Sequence, residues 1–181
     1  MNYDEKTLYS KDIFSGRIIK VRVDTVSLPD GRNSTREIVE HAGAVAIVAV
    51  DDNNYIYLVR QYRKPIEKVL IEIPAGLIEK GEEAIAAAKR ELAEETGLRA
   101  ANWSRILSYY SAPGFSNEEL HLYLARNLSQ GEFNLDKDEF LENVSMPLEE
   151  AYRLIFSGQI VDGKSIIGIQ YAYNYLIKNE I

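Results

Sequence analysis

The sequence predicts an α/β protein in which a mixed β-sheet carries helices on its faces. Three observations support this class. Apolar segments typical of strands fill much of residues 7–73, one strongly periodic helix follows, and two further helical segments close the chain. With 181 residues, the chain has the length of one domain and is expected to bury roughly two-thirds of its unfolded surface.

The N-terminal segment is predicted to be an antiparallel β element. Residues 7–27 form two strands that turn at Ser15-Gly16, because apolar residues roughly alternate with polar ones. Leu28-Pro29-Asp30-Gly31 is a turn, and residues 35–41 form a third strand.

The central strands follow. Ala44 to Val50 is a continuous apolar run, which indicates a strand buried on both faces. A turn at residues 51–54 leads to a partner strand from Tyr55 to Tyr62. Val69 to Ile73 forms another short strand, which Pro74-Ala75-Gly76 ends.

The clearest helix extends from Glu82 to Thr96. Glutamates occupy its first turn, where they suit the positive end of the helix dipole, and Gly97 lies where a C-terminal glycine cap belongs. The remaining elements are strands near 103–110, 119–126 and 139–146, and closing helices at Pro147 to Phe156 and Lys164 to Ile177. We divide the chain into an N-terminal β element, residues 1–42, and a main domain, residues 43–181.

Composition excludes several classes of protein. The chain has no cysteine, so disulfides, thiolate metal sites and a cysteine nucleophile are excluded. It has no secretory signal and no run near the roughly 20 apolar residues that cross a bilayer, so we expect a cytoplasmic protein without membrane contact. The net charge of −7 and the absence of basic runs argue against nucleic-acid binding. A small phosphorylated substrate is compatible if a divalent cation lies between carboxylates and phosphates.

Glu91, Glu94 and Glu95 place three carboxylates on one side of the predicted helix, because they are spaced by three and four residues. Like charges at these spacings repel, and a bound cation would remove the repulsion. An all-oxygen ligand set favours Mg²⁺ or Mn²⁺ over Zn²⁺. Arg90, eight residues after Glu82, is placed to hold Glu82 or to fix the carboxylates. The alternative interpretation is an exposed helix whose glutamates are solvated.

Residues 76–98, GLIEKGEEAIAAAKRELAEETGL, resemble the Nudix box. The box is Gly, five residues, Glu, seven residues, Arg-Glu, an aliphatic residue, any residue, Glu-Glu, any residue, Gly and an aliphatic residue. No position departs from it, and the matching residues are Gly76, Glu82, Arg90, Glu91, Leu92, Glu94, Glu95, Gly97 and Leu98. At average residue frequencies the chance of such a match is roughly one in 10⁹ per starting point, which favours the box over a solvated helix.

The resemblance implies an α/β/α sandwich that uses Mg²⁺, with Mn²⁺ as a substitute, to hydrolyse a nucleoside diphosphate linked to another moiety. It implies that Glu91 and Glu95 bind the metal, that the backbone carbonyl of Ala75 is a further ligand, and that Glu94 assists catalysis. Structural support of the box is implied for Gly76, Glu82, Arg90 and Gly97. Metal ions held there would neutralise and orient the diphosphate and lower the pKa of a bound water.

Segments outside the box resemble the ADP-ribose pyrophosphatase subgroup. The loop SAPGFSNE, residues 111–118, is similar to the characteristic loop of that subgroup, and Pro113 lies sixteen residues after Gly97, as it does there. Many members have Asp where this chain has Asn117. Similar segments are Gln61-Tyr62-Arg63, residues 71–76, and Leu28-Pro29-Asp30-Gly31 followed by Arg36-Glu37.

This resemblance assigns four residues to substrate binding. Arg63 would contact the diphosphate or its attached ribose, since a guanidinium holds two phosphate oxygens at once. Glu72 and Arg36 would help to recognise the nucleotide, and Gly114 would let substrate approach the backbone. The competing interpretations are an exposed strand end for Arg63, a solvated strand position for Glu72 and a plain turn for Gly114.

The catalytic base is predicted in the acidic segment 136–142, where the subgroup places an acidic residue on a loop. Glu139, just before an apolar residue, is the chosen base and would remove a proton from the attacking water. Asp138 and Glu142 are the alternatives, and an exposed acidic loop without a catalytic role also fits.

The sequence therefore predicts a Mg²⁺-dependent hydrolase that cleaves ADP-ribose into AMP and ribose 5-phosphate. The resemblance also implies a homodimer in which residues 1–42 cross to the partner and help to build its site. The first alternative is another nucleoside diphosphate sugar, such as GDP-mannose, as substrate. The second is a sensor that binds ADP-ribose without cleaving it, which the intact box glutamates disfavour. RNA decapping is disfavoured by the acidic balance.

Overall fold

The computed structural model describes residues 3–131 and 140–179, in which the chain forms ten strands and three α-helices. Two compact units are distinguished. Unit 1 contains the described residues up to Gly43 together with Tyr109–Leu120, and unit 2 contains Ala44–Ser108 and the described residues from His121 onward. The division into residues 1–42 and 43–181 stays a prediction.

Unit 1 is built on an antiparallel sheet of three strands in the order β1-β2-β3. The strands are β1 (Lys6–Ser15), β2 (Ile19–Ser27) and β3 (Asn33–His41), as the alternation predicted. The predicted turn is also present, because the Gly31 N–H donates to the Leu28 carbonyl at 2.9 Å. Asn117 adds a contact within the unit, since its side-chain oxygen accepts the His41 N–H at 2.8 Å.

Strand β1 has no buried residue. Every one of its positions is exposed, including the apolar side chains of Leu8, Tyr9, Ile13 and Phe14. A strand of a stable sheet normally buries one face, so β1 presents apolar surface that its own unit leaves uncovered.

Unit 2 contains most of a seven-stranded mixed sheet of order β10-β5-β4-β9-β8, with β6 paired to β5 and β7 paired to β4. Its strands are β4 (Ala44–Val50), β5 (Tyr55–Arg63), β6 (Lys68–Glu72), β7 (Ala75–Leu77), β8 (Leu98–Tyr110), β9 (Glu119–Gln130) and β10 (Leu141–Pro147). Residues 109–110 and 119–120 of this sheet belong to unit 1.

The helices of unit 2 cover both faces of the sheet, which confirms the α/β/α sandwich. They are α1 (Ala84–Thr96), α2 (Leu148–Phe156) and α3 (Gly163–Tyr173), with a 3₁₀ turn at Lys64–Ile66 and a π-helical turn at Asn174–Lys178. All of β4 is buried. Val45, Ile47 and Ala49 pack with residues of α1, whereas Ala46, Val48 and Val50 pack with residues of α2 and α3. β4 is therefore the central strand of the core.

Two local predictions were wrong. Helix α1 begins at Ala84, so Glu82 and Glu83 precede it and its first turn contains no acidic residue. Ala75 and Gly76 do not merely end a strand, because they belong to β7, where Gly76 is opposite Val45 of β4. Hydrogen bonds to the long buried strand β4 bring this Pro-Ala-Gly segment into the sheet. Among the described residues, no helix combines the length and hydrophobicity that a membrane-spanning segment requires.

Candidate active site

Strand β7 and helix α1 meet at Gly76. A Cβ atom at this position would lie 2.0 Å from Oε1 of Glu91, well inside van der Waals contact. Only a glycine leaves room for the Glu91 carboxylate, which is buried between the strand and the helix. The position of the Glu91 carboxylate therefore requires a glycine at residue 76.

Glu95 is the most deeply buried acid of the box, with 2% of its surface exposed. Its Oε2 accepts the backbone N–H of Ala75 at 3.0 Å, so this carboxylate is fixed against β7. The helix ends directly after it, at Gly97, whose left-handed backbone (φ 68°) lets its N–H donate to the Ala93 carbonyl at 2.9 Å. A buried carboxylate at this position needs positive partners or hydrogen bonds.

Arg90 connects the acids of the box. Its guanidinium donates to both carboxylate oxygens of Glu82 at 3.0 and 2.9 Å. It also donates to Glu91 at 2.7 Å, to Glu94 at 3.0 Å and to the Leu77 carbonyl at 3.0 Å. The Glu82 bonds are the largest cause of a raised pKa for Arg90, and Arg90 in turn lowers the pKa of Glu82. The loop before α1 and the carboxylates on α1 are thus held by one side chain.

The donor chemistry of the box fits a divalent cation. Glu82, Glu91 and Glu94 share the one guanidinium of Arg90, and α1 carries a further buried carboxylate, Glu95, so negative charge exceeds positive charge, and every donor atom is an oxygen. Within residues 3–131 and 140–179, no three acidic or histidine side chains are arranged to hold a metal ion. In this arrangement, Nη1 of Arg90 is bonded to both Glu91 and Glu94.

A second charged cluster surrounds Glu72, at the end of β6. The side chain of Glu72 is 1% exposed, and Arg63 of β5 binds it through two hydrogen bonds of 2.8 and 2.7 Å. Lys164 of α3 forms a second ion pair with it. Burial raises the pKa of Glu72, but Arg63 and Lys164 outweigh that effect and hold the pKa below its ordinary value. The acid is therefore charged and fully paired.

The start of α3 completes this second cluster. Asp162 caps the helix by accepting the Ser165 N–H at 3.0 Å, and it also accepts from Lys164 at 3.0 Å. The Ser165 hydroxyl donates to Asp162 at 2.6 Å and accepts the buried Ile73 N–H at 2.8 Å. Sequence reasoning missed these residues. The run Asp-Gly-Lys-Ser is an N-terminal capping signal that would have revealed Asp162, but no local pattern pairs Lys164 with Glu72.

Two of the predicted substrate residues lie in unit 1. Arg36 of β3 forms an ion pair with Glu5 and donates to the Thr35 carbonyl at 2.9 Å. Gly114 lies in the loop after β8, and a Cβ atom there would meet nothing within 4 Å. Unit 2 holds the other predicted site residues that the structure describes, namely Arg63, Glu72, Ala75, Gly76, Glu82, Arg90, Glu91, Glu94, Glu95 and Gly97.

The candidates for the base are only partly described. Glu139 and Asp138 lie outside the described residues. Glu142 lies in β10, not in a loop, and its exposed carboxylate accepts from Arg60 at 2.9 Å.

Comparison with known proteins agrees with the box geometry. The model of the NUDIX domain matches residues 40–166, which is more than half of the chain. The chain belongs to the Nudix family. A second model, the nucleoside diphosphate sugar hydrolase N-terminal domain, matches residues 5–39.

Known proteins align along almost the whole chain. A methanol dehydrogenase activator of Bacillus methanolicus is 47% identical over 171 residues, which cover 93% of this chain and 92% of the relative. An ADP-ribose pyrophosphatase of Bacillus subtilis (strain 168) is 46% identical over 170 residues, again 93% of this chain and 92% of the relative. A crystal structure of an ADP compounds hydrolase superposes with a TM-score of 0.87 at 22% identity, covering 100% of both chains, which confirms the fold.

Nudix hydrolases use a divalent metal ion. In this chain, the side chains whose chemistry fits one are the Nudix-box glutamates on α1, which Arg90 and β7 hold in place. The roles of the individual residues stay predictions.

Proposed function

We propose that this Nudix protein hydrolyses the diphosphate of ADP-ribose, with Mg²⁺, to AMP and ribose 5-phosphate. The observation that carries the proposal is the complete Nudix box with an excess of carboxylates, two of which, Glu91 and Glu95, are buried against β7. The near-full-length similarity to the ADP-ribose pyrophosphatase of Bacillus subtilis supports this substrate.

The box residues have separate roles in this proposal. Glu91, Glu95 and the Ala75 carbonyl would hold the cation, for which Mn²⁺ is the expected substitute, while Glu94 assists. When bound, the cation supplies charge neutralisation of the diphosphate and lowers the pKa of a bound water. The four structural residues Gly76, Glu82, Arg90 and Gly97 keep the carboxylates in place, as contacts behind metal ligands generally do.

Arg63 is the proposed contact for the diphosphate or its ribose. Its Nε and Nη2 are bound to Glu72, which fixes the orientation of the guanidinium plane and leaves Nη1 as the donor for substrate. Glu72 and Arg36 are proposed to recognise the nucleotide, and Gly114 to let substrate approach the backbone.

Glu139 is the proposed base, which takes a proton from the attacking water. Asp138 and Glu142 are the alternatives. Of these, Glu142 already accepts a hydrogen bond from Arg60, which makes it a weaker base.

We also propose that two copies form a homodimer in the cytoplasm, in which residues 1–42 of each copy help to build the partner's site. The apolar side chains of β1 that unit 1 leaves exposed support this arrangement. Light scattering of the purified protein would test it, with Ile13→Glu expected to yield a monomer and Lys11→Glu, on the same strand, expected to leave the dimer. A wild-type monomer would contradict the proposal.

A second candidate function comes from the relative described as a methanol dehydrogenase activator. On that proposal, the chain raises the activity of an alcohol dehydrogenase. Adding the protein to a purified methanol dehydrogenase, with and without Glu95→Gln, separates the two candidates. Activation that survives the substitution would not depend on hydrolysis.

The test of the first proposal is a steady-state comparison of kcat/KM for ADP-ribose, GDP-mannose, UDP-glucose, NADH and diadenosine compounds, run with Mg²⁺ and with chelator. We expect ADP-ribose to have the highest value and the chelator to abolish turnover. If another sugar nucleotide leads, the box assignment stands and the substrate proposal fails. If ADP-ribose binds without turnover, the protein is a sensor.

A further inference from the structure

Unit 2 contains a cavity of about 380 Å³ beside helix α1 and the start of β8. Small-molecule sites typically have volumes of roughly 300–1,000 Å³, so this cavity is large enough for a compact ligand. Of the described residues that line it, Arg90 alone belongs to the candidate active site. The lining residues are Lys89, Arg90, Ala93, Arg99, Ala100 and Trp103.

Two of these lining residues, Lys89 and Arg99, are positively charged. Within the part of the chain that the structure describes, the ammonium of Lys89 and the guanidinium of Arg99 form no hydrogen bond or ion pair. Arg90 differs, because its donors are used by the box glutamates and Leu77. In a chain of net charge −7, two unpaired cations at one concave surface favour an anionic ligand.

The lining of the cavity also includes an aromatic side chain, Trp103, that is held in place. The indole N–H of Trp103 donates to the Ala100 carbonyl at 3.0 Å, and the ring packs edge-on against Tyr123 with centroids 6.4 Å apart. Both contacts hold the ring in one orientation, and the methyl groups of Ala93 and Ala100 extend the apolar surface. A rigid indole next to cations is the combination that binds a nucleobase together with its phosphate.

We propose that this cavity binds a nucleoside monophosphate, with the phosphate held by Lys89 and Arg99 and the base against Trp103. The site adjoins the candidate active site, with which it shares Arg90, and does not rest on the proposed hydrolysis. Because Arg90 forms one wall and bonds to Glu91 and Glu94, the bound nucleotide would lie one residue away from the box carboxylates.

Trp103 makes the test specific, because it is the one tryptophan of the chain and lines the cavity. The experiment is a titration of intrinsic fluorescence with AMP in the metal-free, full-length protein. Adenosine and inorganic phosphate are titrated separately. We expect a saturable change with AMP at a lower Kd than with either half. Equal Kd values for AMP and inorganic phosphate would show that the adenine does not bind Trp103 and would overturn this part of the proposal.

Four variants locate the binding. Lys89→Gln and Arg99→Gln are each expected to raise the Kd for AMP about tenfold, since a hydrogen bond to a charged group contributes about that factor. Arg105→Gln changes the charge of an exposed residue on the same strand outside the cavity, and Arg63→Gln changes the candidate active site. Both should leave the titration unchanged. The proposal fails if AMP gives no fluorescence change, if Arg99→Gln titrates like wild type, or if Arg63→Gln abolishes the signal. Each result is independent of whether ADP-ribose is hydrolysed.

Discussion

Two charged clusters in unit 2 show how charge balance separates a site for a cation from a structural ion-pair network. In the box cluster, three acids, Glu82, Glu91 and Glu94, bind the one guanidinium of Arg90, and α1 carries a further buried acid, Glu95. The Glu72 cluster consists of Glu72, Asp162, Arg63 and Lys164, so two acids face two bases. The net charge of the Glu72 cluster is zero, whereas the box cluster keeps an excess of negative charge that a divalent cation would neutralise.

The largest effect is expected for Glu95→Gln in the box cluster. The substitution removes a proposed metal ligand, so kcat should fall by about 1,000-fold or more, the size of a lost metal contribution to the transition state. The amide oxygen can still accept the Ala75 N–H. The substitution removes repulsion from the neighbouring glutamates but also the attraction between Glu95 and Arg63. The Tm of the metal-free variant should therefore stay close to that of wild type.

The measurement pairs steady-state kinetics with thermal melts, with and without Mg²⁺. Wild type should gain stability from the metal, and Glu95→Gln should not. An equal Mg²⁺-dependent rise in Tm for both proteins would contradict a metal site at Glu95.

Gly76→Ala tests whether the geometry of the box cluster matters as much as its charge. The new methyl group would lie 2.0 Å from Glu91 Oε1, so that carboxylate or strand β7 must move. A displacement of this size costs activity by about 100-fold, even though no charge changes. Gly163→Ala, at the start of α3, is the matched control, because a Cβ there would meet nothing within 4 Å. Equal kcat/KM values for the two variants would show that Glu91 is not held by Gly76.

Lys164→Met is expected to weaken the Glu72 cluster by about 2 kcal/mol of folding free energy at pH 7, since it removes one partner of a buried acid. The effect should depend on pH. The pKa of Glu72 lies below its ordinary value of 4.5, so its contribution to stability is complete above that pH and is lost as the pH falls through the lower folded value. Removing Lys164 raises the folded pKa and reduces this loss.

Denaturant unfolding at pH 7 and near pH 4 measures both parts of that prediction. The difference between wild type and Lys164→Met should narrow at the lower pH, and Lys164→Arg should restore stability. A constant difference would assign the effect of Lys164 to packing alone.

The smallest effect is expected for Glu142→Gln, which breaks an exposed ion pair with Arg60 outside both clusters. Such pairs contribute about 0–1 kcal/mol, so the Tm should hardly change. Activity should also be retained if Glu139 is the base. A large loss of kcat with normal stability would instead assign the base to Glu142.

Sequence patterns predicted those elements whose formation depends on residues close together in the chain. The apolar run from Ala44 to Val50, the periodicity of α1 and the spacing of the Nudix box all depend on neighbours within a few residues. The predictions failed where distant contacts decide the structure. Residues 75–77 form β7 because β4 offers them a partner, and Glu82 leaves the helix because Arg90 binds it from two turns away.

The candidate site shows the same division. The box indicated Glu91, Glu94 and Glu95 directly, because helical spacing brings them together. The pairing of Glu72 with Lys164 joins residues that are 92 positions apart, so only the folded sheet and α3 reveal it.

The burial of β4 on both faces affects how its backbone amides become exposed to solvent during unfolding. All seven of its residues are buried, and six of them have no solvent-exposed surface, so local fraying cannot expose their amides. Hydrogen exchange at Ala44–Val50 should therefore proceed only through global unfolding, and its rate would report the stability of the core under native conditions. The amides at the exposed ends of β1 would exchange far earlier, so one experiment would rank the two units by their resistance to opening.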